Sequence, residues 1–553
     1  MTCLLVGKVM VGARRAGGPR LSPPPFGLGN IQPAERSAGS ELWRYPSLAA
    51  GQWPKTWIRG GARRVAGDLV MMSKFRRAGS SLVLAYAVEH GIVLVRNVLV
   101  ARLLGPENFG IAATFMLVVG AIGLVTDLGI EKYLLHVREE ELPDVQPSLY
   151  GVLICRGLLG AVAIALLSYP LALLFGLEGL AYIYLFAALV PLIGAFKNLD
   201  PLRRQRQLDY RPGIAVDLSG TVLGSLVAVG VAAATGSYMA VIWGMLVTIT
   251  VAVVMSHLLA REPYRPGFQR QAARQLLLYG WPLLLNGLLI FVSGQGDRFL
   301  IGILEGMTDL AGYVAAGTLT IGASLVLTKL TGNIYLPILS AVRDDPESFA
   351  RRSRICGAIS VAIVIVTLVP MLFLTVPLVA LLFGPDYRIP VLLAGFLSVQ
   401  SAARILRSWP VVVALSLGTT QDILSANLVR SLGFPIALWA ALSGYGVVGV
   451  AASVAAGEVL STVFALLRAD RVAPGRRQAG LRMGLLFCAV FGVALTIQGL
   501  APSQDGWVGL LLMAVVVVAT GLLALLAVVP DLRRRLVNGL RLWRAPPFPE
   551  EKS

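Results

Sequence analysis

An apolar run of roughly twenty residues, followed by a short polar hinge, recurs some fourteen times between Gly79 and Pro530. A helix needs about twenty residues to cross a hydrocarbon core about 30 Å thick. The repeated pattern therefore predicts a polytopic membrane protein, with most of the chain embedded in lipid.

The composition narrows the fold class. Hydrophobic residues make up 56% of the 553 residues and charged residues only 14%, which excludes a water-soluble globular protein. Inside a bilayer every backbone polar group must be bonded within the chain, so spanning segments are helices or closed barrels. The apolar runs lack the two-residue alternation of a barrel strand, so we predict an all-α fold with about 14 transmembrane helices.

The hydrophobic pattern places fourteen predicted spans, numbered here in chain order. Their ends are defined by polar hinges. The spans lie at 79–101, 110–130, 149–170, 180–199, 213–234, 237–258, 276–297, 309–332, 355–383, 389–417, 422–442, 446–467, 481–500 and 507–529.

The Lys and Arg residues fall in alternate loops of this arrangement, as in the runs Arg203–Arg211 and Arg261–Arg274. The opposite face holds Arg102, Arg298 and Arg388. Because cationic residues stay on the cytoplasmic side of short loops, we expect both termini in the cytoplasm of a bacterial cell, with the chain in the inner membrane. The net charge of +18 is spread over many loops, which disfavours a nucleic-acid partner.

Two hinges indicate an internal repeat. The hinge after span 1 reads LVARLLGPENFGIA from Leu99, and the hinge after span 7 reads LIGILEGMTDLAGY from Leu300, 201 residues later. Each has two glycines at similar steps, although glycine-rich hinges are common in membrane proteins. We predict two six-helix lobes (pseudo-repeat) plus two C-terminal helices.

The repeat sets the expected domain boundaries. Residues 1–70 are rich in proline and arginine and have no apolar span, so we predict a disordered basic segment, either an over-extended gene start or an arm on anionic lipid. The remaining parts are an N-lobe with helices 1–6 at 71–260, a cytoplasmic basic linker at 261–275, a C-lobe with helices 7–12 at 276–470, helices 13 and 14 at 471–530, and a basic tail at 531–553.

Three segments carry a family resemblance. ARLLGPENFGIAATFMLVVGAIGLVTDLGI from Ala101, GDRFLIGILEGMTDLAGYVAAGTLT from Gly296 and LSGYGVVGVAASVAAGEVL from Leu442 resemble the polysaccharide or oligosaccharide flippase family of the multidrug/oligosaccharidyl-lipid/polysaccharide exporter superfamily. The resemblance covers most of residues 75–470. It implies transport of a polyprenyl-diphosphate-linked oligosaccharide to the outer leaflet, for surface polysaccharide or lipopolysaccharide assembly, by alternating access.

Charges inside the predicted spans are candidates for a binding site, because a retained intramembrane charge is usually paired or faces a cavity. Span 1 carries Glu89, His90, Arg96 and Asn97. Glu89 and Arg96 are seven residues apart, as are His90 and Asn97, so the four side chains lie on one stripe of the helix. Span 7 carries a matching polar stripe, in which the 201-residue offset places Asp297 and Arg298 at the positions of Arg96 and Asn97. Its candidate residues are Asn286, Asp297 and Arg298.

Further charges lie deep in later spans. Arg404 and Arg407 in span 10 and Lys329 in span 8 would suit a phosphate, because guanidinium groups bind phosphate oxygens in pairs. Alternatively, Arg404 and Arg407 reach the inner headgroups or pair with Asp422. Glu89 and Glu458 are candidates to bind a coupling ion, H⁺ or Na⁺, although Glu458 could equally form an interhelical hydrogen bond.

The expected partners are the lipid-linked oligosaccharide and membrane lipids. We expect no cofactor and no metal site, because the four cysteines are widely spaced and the chain has three histidines. A cation-coupled multidrug exporter or a peptidoglycan-precursor flippase would share the fold. A membrane-embedded polysaccharide polymerase or ligase is disfavoured, because such enzymes need a sizeable outer loop and the predicted outer loops are short.

Overall fold

The protein is built from helices. The computed structural model describes residues 55–472 apart from 139 and 208, five isolated positions between 484 and 496, and residues 507–528, with side chains from Leu84 onward. In that part of the chain every regular element is a helix and no strand occurs. The predicted all-α polytopic fold is therefore confirmed.

The longer helices follow one another through short connections. A helical run α1 at Lys55–Val125 is broken at Gly105, where the backbone leaves the helical conformation. The others are α2 at Ile130–His136, α3 at Leu142–Leu174, α4 at Ala181–Gly194, α5 at Asp200–Arg203, α6 at Arg211–Thr235, α7 at Met239–Leu258, α8 at Arg270–Leu304, α9 at Met307–Ser340, α10 at Pro346–Phe383, α11 at Val391–Ser416, α12 at Thr420–Ser431, α13 at Gly433–Leu442, α14 at Gly446–Val472 and α15 at Trp507–Val528.

Ten helices of the described residues are long and apolar enough to cross a membrane. These ten contain eleven predicted spans, because the break in α1 separates spans 1 and 2. Span 4 coincides with the shorter α4, and span 10 coincides with α11, whose two arginines lower its hydropathy. Most of span 13, at 481–500, lies outside the described residues, as do 473–480 and the tail from 529.

Residues 55–70, part of the segment predicted to be disordered, lie in the helical run that begins at Lys55. Residues 1–54 lie outside the described part of the chain, so the assignment of 1–70 stays a prediction. Span 11 coincides with α12 and α13, which follow one another at Leu432 with helical backbone angles and together form one apolar span, Gln421–Leu442.

Several helices extend well beyond the predicted spans. The 35 residues of α8 make a helix about 52 Å long, against a hydrocarbon core about 30 Å thick. Hydropathy marks the lipid-embedded part of a helix, whereas caps decide where the helix ends. At the start of α10, Asp345 accepts hydrogen bonds from the backbone N–H groups of Glu347 and Ser348, and Pro346 occupies the first turn.

The two hinges singled out as a repeat share one backbone conformation. Gly105 has φ 73° and ψ 171°, and Gly306, 201 residues later, has φ 97° and ψ 177°. Both angles favour glycine, which has no Cβ to collide with the neighbouring carbonyl. The hinges also touch, since a Cβ at Gly110 would collide with the carbonyl oxygen of Met307. The domain boundaries drawn from the repeat stay a prediction.

Candidate functional site

A group of buried charges lies among α11, α12 and α14. Glu458, in the middle of α14, is 1% exposed. Its Oε1 is 2.6 Å from Nη2 of Arg407, and its Oε2 is 3.7 Å from Arg404 and 3.9 Å from Arg430. We call Glu458 with these three arginines the arginine cluster.

Small residues let the helices that carry this cluster approach closely. A Cβ at Gly457 would lie 2.8 Å from the carbonyl oxygen of Arg430 and 2.9 Å from Cα of Gly433. Gly457 therefore allows α12 and α13 to lie against α14 beside Glu458. On the other side of α14, Thr462 donates a hydrogen bond to the carbonyl oxygen of Ala403, which fixes α11. Close packing of small residues is typical of helix contacts in membranes.

The arginine cluster carries an excess of two positive charges, because one carboxylate faces three guanidinium groups. The arginine side chains are between 10% and 15% exposed. Nε of Arg404 and Nε of Arg430 are buried and have no hydrogen-bond acceptor among the described residues. Buried donors without an acceptor are costly, so this region favours an anionic group that would accept their hydrogen bonds.

The polar stripe of α8 faces the cluster. Ser293 accepts a 2.5 Å hydrogen bond from Nη2 of Arg430. Asp297, which is buried, accepts a 2.6 Å hydrogen bond from the hydroxyl of Tyr313 on α9. Arg298 donates to Gln295 at 2.9 Å, and its Nε is buried without an acceptor among the described residues. Asn286 is half-buried, two helical turns before Ser293.

The polar stripe of α1 lies in a different place. Arg96 donates to the side-chain oxygen of Asn97 at 2.9 Å rather than to Glu89. Both residues line a small space with Val100, Phe109 and Met116 of the same helical run, and with Ala228 of α6 and Val241 of α7. No hydrogen bond or ion pair joins this stripe to the α8 stripe within the described residues. The two polar stripes thus lie in separate places.

Lys329 connects α9 to α1 at a third position. Its Nζ is 4.2 Å from the ring centroid of Tyr86, a cation–π geometry. Glu89 is half-buried one turn further along α1, within electrostatic reach of Lys329 and of Asp217 on α6. This contact joins the first span to the eighth, and so bridges the two predicted lobes.

The partners of Arg404 and Arg407 differ from the pairing with Asp422 that the sequence suggested. Arg404 and Arg407 pair with Glu458, whereas Asp422 lies 3.7 Å from Arg468. Glu458 makes interhelical ion pairs with all three arginines. Sequence reasoning missed Arg430, although an arginine eight residues inside span 11 was a signal of the same kind.

A cavity of about 230 Å³ opens at the end of the molecule predicted to be outer. It is lined by Glu305 and Asp309 at the second hinge, by Arg388 after α10 and by Tyr445 before α14. Burial raises the pKa of Glu305, and the nearby Asp309 carboxylate raises it further. Glu305 therefore takes up a proton at a higher pH than an exposed glutamate does.

The fold and the buried charges define a polytopic helical membrane protein with a charged interior, built like known transporters. A solved structure of the lipid II flippase MurJ, in an inward closed conformation, is similar to this protein, with a TM-score of 0.61 and 13% identity. The match covers 80% of this chain and 98% of the MurJ chain. An inward-facing multidrug resistance transporter of the MATE family matches 75% of this chain and 99% of its own, with a TM-score of 0.50 and 14% identity. These likenesses show the fold.

The chain belongs to the family described as polysaccharide biosynthesis protein. The sequence profile of that family matches residues 99–391, which is more than half of the chain. It is 27% identical to the succinoglycan biosynthesis transport protein ExoT of Rhizobium meliloti (strain 1021) over 323 residues, 56% of this chain and 63% of the relative. It is 20% identical to the lipopolysaccharide biosynthesis protein WzxC of Escherichia coli (strain K12) over 266 residues, 48% of this chain and 54% of the relative. The match thus spans about half to two thirds of these curated relatives.

Proposed function

We propose that the protein is a flippase that moves a polyprenyl-diphosphate-linked oligosaccharide to the outer leaflet of a bacterial inner membrane, for surface polysaccharide assembly. The observation that carries this proposal is the excess of two buried positive charges in the arginine cluster. A diphosphate is the part of such a substrate that guanidinium groups bind best. The family, and the transport named for one relative, support the same conclusion.

The arrangement of charges also suggests how the substrate is held. Ser293 of the α8 stripe accepts a hydrogen bond from Arg430 of the arginine cluster, so the two groups of polar residues lie side by side. Phosphate oxygens placed there would accept hydrogen bonds from the buried Nε groups. The polyprenyl tail would remain in lipid, and the sugars would occupy the polar space.

Contacts between the predicted lobes support alternating access. The hinges touch at Gly110 and Met307, and a Cβ at Gly280 of α8 would lie 2.6 Å from the carbonyl oxygen of Leu128, just after α1. Contacts near both ends of the spans describe a closed state. Opening one end at a time would expose the polar interior to one face of the membrane.

Transport rather than catalysis is the role that we propose, with H⁺ or Na⁺ as the coupling ion. Glu89 is the better candidate for ion binding, because the carboxylate of Glu458 already holds three arginines. A multidrug exporter shares the fold, but an excess of buried positive charge opposes the binding of cationic drugs.

The test uses Arg96→Ala and Arg298→Ala, with Arg298→Lys as a conservative variant and the exposed Arg388→Ala as the matched control. Neither Arg96 nor Arg298 forms an ion pair with a described residue, so their removal leaves the arginine cluster intact. Loss of one hydrogen bond to a charged group costs about 1.5–3 kcal/mol, which is roughly a tenfold to hundredfold loss of binding.

Lipid-linked oligosaccharide on the cytoplasmic face, measured beside protein abundance in the membrane, should accumulate in Arg298→Ala. Accumulation in Arg96→Ala would show that the separate α1 stripe also contacts the substrate during transport. Arg298→Lys should accumulate less, because lysine keeps the charge but lacks the paired donors. Normal export by both alanine variants, at normal abundance, would show that these arginines do not bind the diphosphate.

A further inference from the structure

A cavity lined mainly by arginines lies away from the arginine cluster, on the face predicted to be cytoplasmic. It has a volume of about 180 Å³, many times the roughly 10–15 Å³ that one water needs. It lies between the segments 198–207 and 259–262, which follow α4 and α7. We call it the loop pocket, and its charged lining consists of Asp200, Arg203, Arg204, Arg206, Arg261 and Glu262.

A buried polar network fixes the two segments against each other. Asn198 is 2% exposed and accepts a 2.8 Å hydrogen bond from the hydroxyl of Tyr150 on α3. Its backbone N–H donates to Ser256 of α7 at 2.8 Å, and its side-chain amide donates to the carbonyl oxygen of Glu262 at 3.3 Å. The loop pocket is thus built into the fold, with its walls already in place.

The same network orients the arginines. Arg204 donates to the carbonyl oxygen of Leu259 at 2.5 Å and lies 3.4 Å from Asp200. Arg206 donates to the carbonyl oxygens of Leu134 and Val137, where α2 ends.

Four guanidinium groups and two carboxylates line the loop pocket. Arg203 reaches Glu262 at 4.0 Å, and Glu262 is half exposed. Nε of Arg204 is buried and has no hydrogen-bond acceptor among the described residues, so the pocket favours an anion that would accept its hydrogen bond.

The pocket follows the predicted cytoplasmic ends of two spans, where lipid headgroups are expected. Leu258, the last residue of α7, is 71% exposed, and Phe196, just after α4, is 44% exposed. Large apolar side chains are thus exposed at the ends of these helices, and the arginines follow directly in the loops. Basic pockets between helices on the cytoplasmic side are suited to anionic lipid headgroups.

We propose that the loop pocket binds the phosphate of an anionic phospholipid headgroup. The acyl chains of the lipid would lie against Phe196 and Leu258, and the phosphate would accept hydrogen bonds from the guanidinium groups. This site is separate from the proposed substrate site and does not depend on it. The alternative source of a lipid-borne phosphate is the diphosphate of the transported lipid.

The test compares two double variants of the full-length protein. Arg203→Gln with Arg261→Gln removes two charges from the loop pocket and spares the residues that hold its walls. Arg265→Gln with Arg270→Gln removes the same charge from exposed positions in the adjoining loop. Native mass spectrometry of the solubilised protein, titrated with phosphatidylglycerol, phosphatidylcholine or polyprenyl diphosphate, measures binding of each lipid.

We expect the pocket variant to bind phosphatidylglycerol about tenfold more weakly than wild type, with the control variant and phosphatidylcholine binding unchanged. Unchanged phosphatidylglycerol binding, or an equal loss in both variants, would overturn the proposal. A loss confined to polyprenyl diphosphate would also overturn it, and would assign the pocket to the transported lipid.

Discussion

Replacing Glu458 with glutamine should be the most damaging single change in the arginine cluster. The side chain is 1% exposed and keeps its shape in the variant, so packing is conserved and the change is electrostatic. Wild type holds three arginines at 2.6, 3.7 and 3.9 Å from this carboxylate. The variant leaves all three without a counter-charge.

The expected loss of stability differs between two variants, because Glu458 is the partner shared by three arginines, whereas Arg407 is only one of the three partners of Glu458. Leaving an uncompensated buried charge costs about 3–5 kcal/mol, so Glu458→Gln should lower the free energy of unfolding by at least that amount. Arg407→Gln removes hydrogen bonds to a charged group, worth about 1.5–3 kcal/mol, and reduces the excess positive charge. The double variant should cost less than the sum, because Arg407 is one of the charges left unpaired by the first change.

Thermal unfolding of the purified protein, with abundance in the membrane as a second measurement, tests this order. Glu107→Gln, at an exposed position in the first hinge, is the control and should match wild type. If Glu458→Gln is no less stable than Arg407→Gln, the reasoning is refuted, and the carboxylate is not the centre of the cluster.

Three other predictions follow from the geometry. Gly457→Ala should separate α12 from α14, because its Cβ would lie 2.8 Å from the carbonyl oxygen of Arg430; the unfolding temperature should fall, whereas Gly230→Ala, with no atom within 4 Å of its Cβ, should have little effect. Asp345→Ala should lower the unfolding temperature near neutral pH, because hydrogen bonds from Ser348 stabilise the Asp345 carboxylate and hold its pKa below its usual 3.8. This stabilisation is lost as the pH falls through the lowered pKa, so the difference from wild type should disappear in acid. A difference that persists in strong acid would contradict this assignment. Reporter fusions should give opposite signals in adjacent loops, and the same signal in two neighbours would contradict the fourteen-span topology; the fusion sites are Gly176, Ser237 and Ser443 outside and Gln205 and Gln269 inside.

The sequence by itself determined which segments form the apolar helices. The length and apolar character of a span are local properties, so each predicted span in the described residues coincides with helix. The hinge repeat was also local, and Gly105 and Gly306 do share one backbone conformation. Local patterns failed where a helix end depends on capping, as at Asp345.

Tertiary structure decided which charges meet. Glu458 and Arg407 are 51 residues apart in the sequence, and the loop pocket combines segments about as far apart. Hydropathy marks Arg404, Arg407 and Glu458 as deep in the membrane, but it does not say which helix faces approach one another. That choice depends on close contacts such as Gly433 against Gly457, because a buried charge pairs only with the groups that packing brings within a few ångströms.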